Sequence, residues 1–478
     1  MRKNTTALTL AIILALTGVS CGSTGTTNET TTSGETGTTA PETETSIYDD
    51  LPTGDYGGET FTILNNSVTW AEYRIDADEI NGDTMNDAVY ERTKFVEDLL
   101  KVDIELIEQD LYSGTAGYLA NLVLAGDDSI DASFIGAMYN VANISKGIYV
   151  DLNEVEGLDF SKPWWDKNSV KYNEIDGKLY MAHNETSANI HDTLWVGFFN
   201  KKILESLKLD DIYSVVREGK WTIDKMKQYI EDGSSDLDGD GELGADDQWG
   251  LMTHNGATFG FLHGSNERGV DIEGGMPFVS PIDDRMFDVI TKIRSVFELD
   301  GTMTNDKDEG RLGYNCVNGF ANGHSLLHIE VIGNAKTLRA MDADFGIIPF
   351  PKYDEAQESY VSYYSPGMNA FSIPKTTKDI SRTATVIENL SAYGYKTVRP
   401  AYYDVVLNGK TVRDNESSEM LDIIFSNIEG EMAYIYNWGG YANTLKSVLS
   451  GSGDVVSSLE SNKTAVETAI ENYLKDLQ

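Results

Sequence analysis

Apolar and polar residues begin to alternate at Thr60–Leu64, which predicts a strand. A helix follows, with Asp83 or Thr84 as its cap and Met85, Ala88, Val89, Phe95, Val96, Leu99 and Leu100 along one face. Next come a strand at Val102–Ile107, a helix from Gly117 to Ala125 and a short apolar strand at Ala132–Ile135. Strand and helix in alternation predict a mostly parallel sheet with helices on its faces, and so an α/β fold. In such sheets ligands bind beyond the carboxyl ends of the strands, here Asn65–Trp70 and Gly136–Asn140.

Further along, Lys178–Ala182 and Leu194–Phe199 read as strands on either side of a polar stretch, His183–Asp192. Thr222 caps a helix running to Glu231, with Ile223, Met226 and Ile230 on its apolar side. Arg285–Leu299 is amphipathic in the same way, and short strands fall at Ser325–Ile329, Phe345–Pro349 and Asn369–Ile373. Helices then dominate: Ser381–Tyr395, Met420–Phe425, Tyr441–Leu449 and Val466–Leu477.

The N-terminal pattern differs in kind. Arg2 and Lys3 precede an apolar run, Ala7–Leu16, too short to span a bilayer, and then small residues leading to Cys21. That arrangement resembles the lipobox of bacterial lipoproteins, with Gly18 where an aliphatic residue is usual; the resemblance implies a signal peptide at 1–21 and lipidation of Cys21. A plain secretory signal followed by an incidental cysteine is the alternative. Residues 22–46 carry no aromatic or large aliphatic side chain, so nothing offsets their ordering entropy. A disordered Thr/Ser/Gly/Glu linker is expected over 22–57, about 36 residues, holding the fold roughly 30–36 Å from its anchor. Stable anchoring takes at least two acyl chains.

About 420 residues remain, enough for two lobes with cores of their own. The formal charge of −40 disfavours nucleic acid and anionic lipid headgroups as partners and favours cations. Cys316 is the one cysteine besides Cys21, so the mature domain has no intrachain disulfide, and the thiol is expected to be a buried apolar group.

The order of Asn86–Arg92, Asp176-Gly177-Lys178-Leu179-Tyr180, Phe199-Asn200-Lys201, Lys220-Trp221-Thr222 and Ile348–Lys352 resembles the extracellular solute-binding proteins of carbohydrate importers, the maltose-binding-protein-like group. The resemblance covers the chain from Gly58 onward. It implies a two-lobe periplasmic-binding-protein-like fold, hinge-linked, with the ligand between the lobes. Carried over, lobe one is 58–182 plus 366–427 and lobe two is 183–365 plus 428–478. It further implies a carbohydrate ligand, the permease subunits of an ATP-driven (ABC) transporter as partners, membrane attachment through lipid, and no catalysis. The chain is read as a monomer.

Asp236-Leu237-Asp238-Gly239-Asp240-Gly241-Glu242 places carboxylates at positions 1, 3 and 5 of a cation loop, with Asp247 at 12. Gly241 sits at the sharp turn, and Glu242 offers its carbonyl. Converging anionic oxygens at this spacing suit a hard cation, so structural calcium is expected. Asp rather than Glu at position 12 resembles the dockerin form of the loop. A solvated acidic turn is the alternative.

Sugars present apolar faces to aromatic rings and hydroxyls to fixed polar groups. Covering about 80–100 Å² per stacked ring contributes about 2–2.5 kcal/mol. The ligand-binding candidates are Asn65, Trp70 and Tyr139 from lobe one, Glu185 after the first hinge, and Glu330, Tyr364 and Trp438 from the second lobe or the hinge. Trp438 is the first choice, because Trp438-Gly439-Gly440-Tyr441 opens a late helix where the family places a stacking aromatic. Trp164, Trp165, Trp195 and Trp221 are assigned to packing. His324 and His328 stand at i,i+4 without the Glu of a His-Glu-x-x-His zinc motif. After residue 22, nucleophile-elbow and phosphate-loop patterns are absent from the sequence. A peptide or another polar solute stays open as the ligand, and an anchored carbohydrate-active enzyme as the contrasting class.

Overall fold

A computed structural model describes residues 46–67, 75–109, 113–187, 190–408 and 415–478. Cys21 and Trp70 lie outside the described residues. Three strands of the first main sheet precede the first crossing between sheets: β1 (Glu59–Asn66), β2 (Val102–Gln109) and β3 (Ala132–Gly136). Next come β4 (Leu194–Asn200), β5 (Trp249–Thr253), β6 (Thr302–Thr304), β7 (Ser325–Val331), β8 (Phe345–Ile348) and β9 (Ser362–Tyr364). The last two are β10 (Asn369–Ser372) and β11 (Ile428–Glu429).

These strands form two main sheets. The first has the order β10-β3-β1-β2, with β1, β2 and β3 parallel and β10 antiparallel to β3. The second runs β6-β5-β7-β4-β9-β11, with β8 also paired to β4. Here β5, β6 and β7 are parallel, and β4 runs against β7, β8 and β9. This is the mixed α/β, two-lobe architecture expected.

Local chemistry explains where the helices start. Asp83 accepts the Asn86 N–H, and Thr222 accepts the Lys225 N–H, each satisfying a donor that the first helical turn leaves free. The helix Thr84–Leu100 buries Met85, Val89, Arg92, Val96 and Leu100 at spacings of three and four, a stripe that includes an arginine. Phe95 and Leu99, expected on that face, are 47 and 42% exposed. Each lies one position off the stripe, which apolarity alone does not reveal.

Two boundaries differ from expectation. Residues 47–57 were assigned to the linker, yet Tyr48 stacks on Trp164 with ring centres 5.9 Å apart. The Tyr56 N–H donates to the Leu100 carbonyl, and Asn389 donates to that of Pro52. Aromatic residues from Ile47 onward give this stretch something to bury, which 22–46 lack. The helix Asn415–Ser426, assigned to lobe one, packs on β8 of lobe two. It buries Met420, Leu421 and Ile424, and Arg217 pairs with Glu416 at 2.9 Å and Glu419 at 2.8 Å.

Candidate functional site

Strand register locates the crevice between the lobes. Tyr363 lies opposite Trp195, which lies opposite Val331 at the carboxyl end of β7. Asn369, at the start of β10, lies opposite Gly136 at the carboxyl end of β3. Residues 365–368 therefore connect the carboxyl ends of one parallel set directly to those of the other. A second connection runs between Ala182, bridged to Phe371, and β4. A third follows the helices after Ile380 back to β11. Three connections therefore join the two sheets, and the first of these meets both at carboxyl strand ends, where ligands bind in α/β folds.

Of the sequence candidates, Asn65 and Tyr139 sit on the lobe-one side. Asn65 is buried at the end of β1, and its Oδ1 accepts from Asn369 Nδ2 at 3.2 Å. The same Nδ2 donates to the Asn66 carbonyl at 2.9 Å, while the buried Asn369 Oδ1 has no hydrogen-bond partner among the described residues. Asn369 was not among the sequence candidates. Tyr139 is half-buried in the helix Ala137–Ser145, which follows β3 and packs on the helix Met432–Tyr436 of the other lobe.

Glu185 and Tyr364 are brought together at the crossings. Both line a cavity of ≈ 170 Å³, along with Trp165, Asp166, Arg399 and Phe425. Burial alone would raise the Glu185 carboxyl, but His191 at 3.3 Å and Arg399 at 3.1 Å outweigh it and hold it below its usual range. It stays ionised as an acceptor. Gly394 lets the next crossing approach closely, since a Cβ there would lie 2.1 Å from the Glu185 carbonyl oxygen. Tyr364 is buried, with the His183 ring edge-on at 5.1 Å. A larger cavity of ≈ 830 Å³ contains no residue of the crossings and is lined mainly by charged side chains between Asp210 and Glu355.

Glu330 stands at the end of β7, where Oε2 is 3.2 Å from His254 Nε2. His254 follows β5, and its ring centre lies 4.9 Å from that of Trp195. Trp195, His254 and Glu330 thus form a lobe-two edge at the crevice. Sequence reasoning missed His254 because it did not predict β5, a fully buried strand without alternation. Trp438 is placed differently from expectation. It is 5% exposed, stacked on Tyr436 at 4.4 Å and edge-on to Tyr473 at 5.6 Å, so it is packed among protein rings instead of standing open at a strand end.

In the acidic loop, the Asp236, Asp238 and Asp240 carboxylates converge within 4.8 Å of one another. Asp236 accepts the N–H groups of Gly239 and Gly241, folding the loop around itself. The Asp240 N–H pulls the Asp238 carboxyl down, but desolvation and the charges of Asp240, Asp247 and Asp236 leave it raised. Asp247 lies outside that trio; its two oxygens accept from Leu237 at 2.7 Å and Gly244 at 2.6 Å, closing the loop's ends. The Glu242 side chain lies outside the trio as well.

No protein-family model and no curated protein matches the chain. Solved structures do. One is a galacto-N-biose-/lacto-N-biose I-binding protein of an ABC transporter from Bifidobacterium longum, in complex with lacto-N-biose. It is 14% identical, at a TM-score of 0.55, over 88% of this chain and 98% of that one. A sugar transporter protein from Rhizobium etli in an open conformation gives 13% identity and a TM-score of 0.57, over 85% and 99%. The maltose/maltodextrin-binding domain from Bdellovibrio bacteriovorus bound to maltotriose gives 15% and 0.54, over 86% and 100%. The chain has the two-lobe fold of periplasmic solute-binding proteins.

Proposed function

We propose that this chain is the extracytoplasmic solute-binding component of an ABC importer, capturing a sugar or oligosaccharide by closing its lobes. The observation that carries the reading is the register, which sets Asn369 of one lobe opposite the carboxyl end of β3 and Trp195 of the other opposite the carboxyl end of β7, with Asn65 and His254 beside them. Polar side chains fixed beside aromatic rings suit hydroxyls on an apolar carbon frame. Closure follows because groups of both lobes contact the solute together only in the closed arrangement. Permease subunits would then read the closed surface.

A thermal-shift screen over mono- and oligosaccharides tests the ligand class. A true ligand at 100 times its Kd adds about 2.7 kcal/mol of stability. Small-angle scattering with that sugar should show a smaller radius of gyration. Unchanged dimensions at saturation would remove hinge closure from the account, and shifts only with peptides would transfer it to another polar solute.

The reading includes an anchor and an ion. Lipidation of Cys21 would tether the domain to the membrane, so Cys21→Ser should release the protein into the medium. Calcium bound by Asp236, Asp238 and Asp240, with the Glu242 carbonyl and Asp247, would relieve the repulsion that raises Asp238. Chelator should then lower the melting temperature without sugar present, and Asp236→Asn should abolish that response. A chelator-insensitive protein would leave the loop a solvated turn.

A further inference from the structure

We propose a second, sulfur-containing metal site in the interior of lobe two, formed by Cys316, His328 and Glu330 and suited to Zn²⁺ or a similar borderline-soft divalent cation. One ligand atom from each residue lies within 4.8 Å of the other two, and all three residues are buried. His328 and Glu330 are two apart on β7 and so share one face of the sheet. The helix Cys316–Ala321 packs over that strand and supplies the thiol.

The imidazole carries the argument. His328 Nδ1 is 2.9 Å from the Met252 carbonyl, which accepts hydrogen bonds only, so Nδ1 bears the proton and donates. Nε2 then presents a lone pair, and in this fully buried position it has no hydrogen-bond partner among the described residues. An unsatisfied buried acceptor is destabilising unless something occupies it. A ring whose far nitrogen is tied to a backbone carbonyl is set up as a metal ligand. Stacking on Phe320 at 5.2 Å and Phe198 at 5.8 Å fixes its plane.

The other two ligands are also held from behind. Asn305 Oδ1 accepts the Cys316 N–H at 2.7 Å, positioning the helix start. The Gly256 N–H donates to His254 Nδ1 at 3.0 Å, so His254 Nε2 bears the proton and donates to Glu330 at 3.2 Å. His254 therefore orients the carboxylate and leaves ligation to the three buried groups. Its side chain is 31% exposed, which marks the side from which an ion and a fourth ligand, water, would enter. Zinc takes sulfur at about 2.3 Å and nitrogen or oxygen at about 2.0–2.2 Å. Its tetrahedral donors therefore stand roughly 3.3–3.7 Å apart, which side-chain rotation of about 1 Å reaches from here. Thiolate and imidazole donors disfavour calcium, so this site and the acidic loop select different ions. His324, i,i+4 from His328, takes no part; it stacks on Tyr314 at 5.4 Å.

Cobalt(II) titration of the full-length chain carrying Cys21→Ser, in which Cys316 is the one remaining thiol, tests the site. The expected result is one equivalent bound with a near-ultraviolet thiolate-to-cobalt charge-transfer band, displaced by Zn²⁺. Cys316→Ser should abolish the band, and His328→Gln should weaken binding at least ~10-fold. Asp238→Asn in the acidic loop should change neither. Absence of the band in the otherwise native chain overturns the proposal whether or not the core variants fold, and so does a band that survives Cys316→Ser.

Discussion

Arg92→Met is expected to lower stability by about 3–5 kcal/mol, because it removes the buried donor that satisfies three backbone carbonyls. The Arg92 guanidinium lies wholly inside lobe one, donating to the carbonyls of Ile75 at 2.6 Å, Thr186 at 3.0 Å and Leu390 at 3.2 Å. Those three carbonyls belong to the segment before the first helix, the first crossing and the helix Ile380–Tyr393. Burial pulls the guanidinium down to about 10, with the Asp76 charge working the other way, so it stays charged at neutral pH. Methionine fills the volume but leaves the carbonyls unsatisfied, each costing about 1–3 kcal/mol. Urea unfolding measures the loss, and hydrogen exchange should rise at 183–187 because the crossing loses its tie at Thr186. A loss under about 1 kcal/mol would show that the network adds little over packing.

This arginine also shows what the sequence does and does not disclose. The caps at Asp83 and Thr222 were legible because a cap is local: side chain and N–H lie three residues apart. Strands with alternating or β-branched runs, such as β1 and β2, were legible for the same reason. Arg92 was visible only as part of a motif, because its partners lie 17, 94 and 298 residues away. The same limit governs the site. Glu185, Tyr364 and Glu330 were proposed from strand ends and hinges, and the structure sets them at crossings and a strand end. Asn369 and His254 depend on which strands become neighbours, and Trp438 on which helix returns to cover it. The Asn415–Ser426 helix was misassigned because an apolar helix face does not say which sheet it covers.

His263→Gln is expected to cost about 3–5 kcal/mol at pH 5–6 and progressively less as the pH rises, through the buried charges that hold the returning chain to lobe two. His263 is fully buried, with Nδ1 3.4 Å from Glu429 Oε2 and Nε2 3.2 Å from Glu431 Oε2. It stacks on Tyr363 at 5.1 Å, and Arg268 also pairs with Glu429. The Ala433 and Gly269 N–H groups donate to Glu431 at 2.9 and 3.1 Å. Burial alone would lower the imidazolium, but the two glutamates outweigh it and raise it above its ordinary value. Burial would likewise raise Glu429, yet His263 and Arg268 hold it down at about 2. A raised histidine contributes fully below its unfolded value of about 6.5 and loses that contribution as the pH climbs through its folded value. A depressed glutamate contributes fully above its unfolded value, about 4.3, and loses it as the pH falls toward 2. The network is therefore strongest between about pH 4.3 and 6.5, and the alkaline fall belongs to His263. Glutamine keeps the shape and one donor but removes the positive charge, leaving Glu429 and Glu431 to repel across it. Urea unfolding at pH 5, 6, 7 and 8 should give a difference between parent and variant that is level at pH 5 and 6 and shrinks at pH 7 and 8. A difference that stays constant across that range would mean the imidazole acts there as a neutral packing group, leaving Arg268 and the backbone N–H groups to hold the two glutamates.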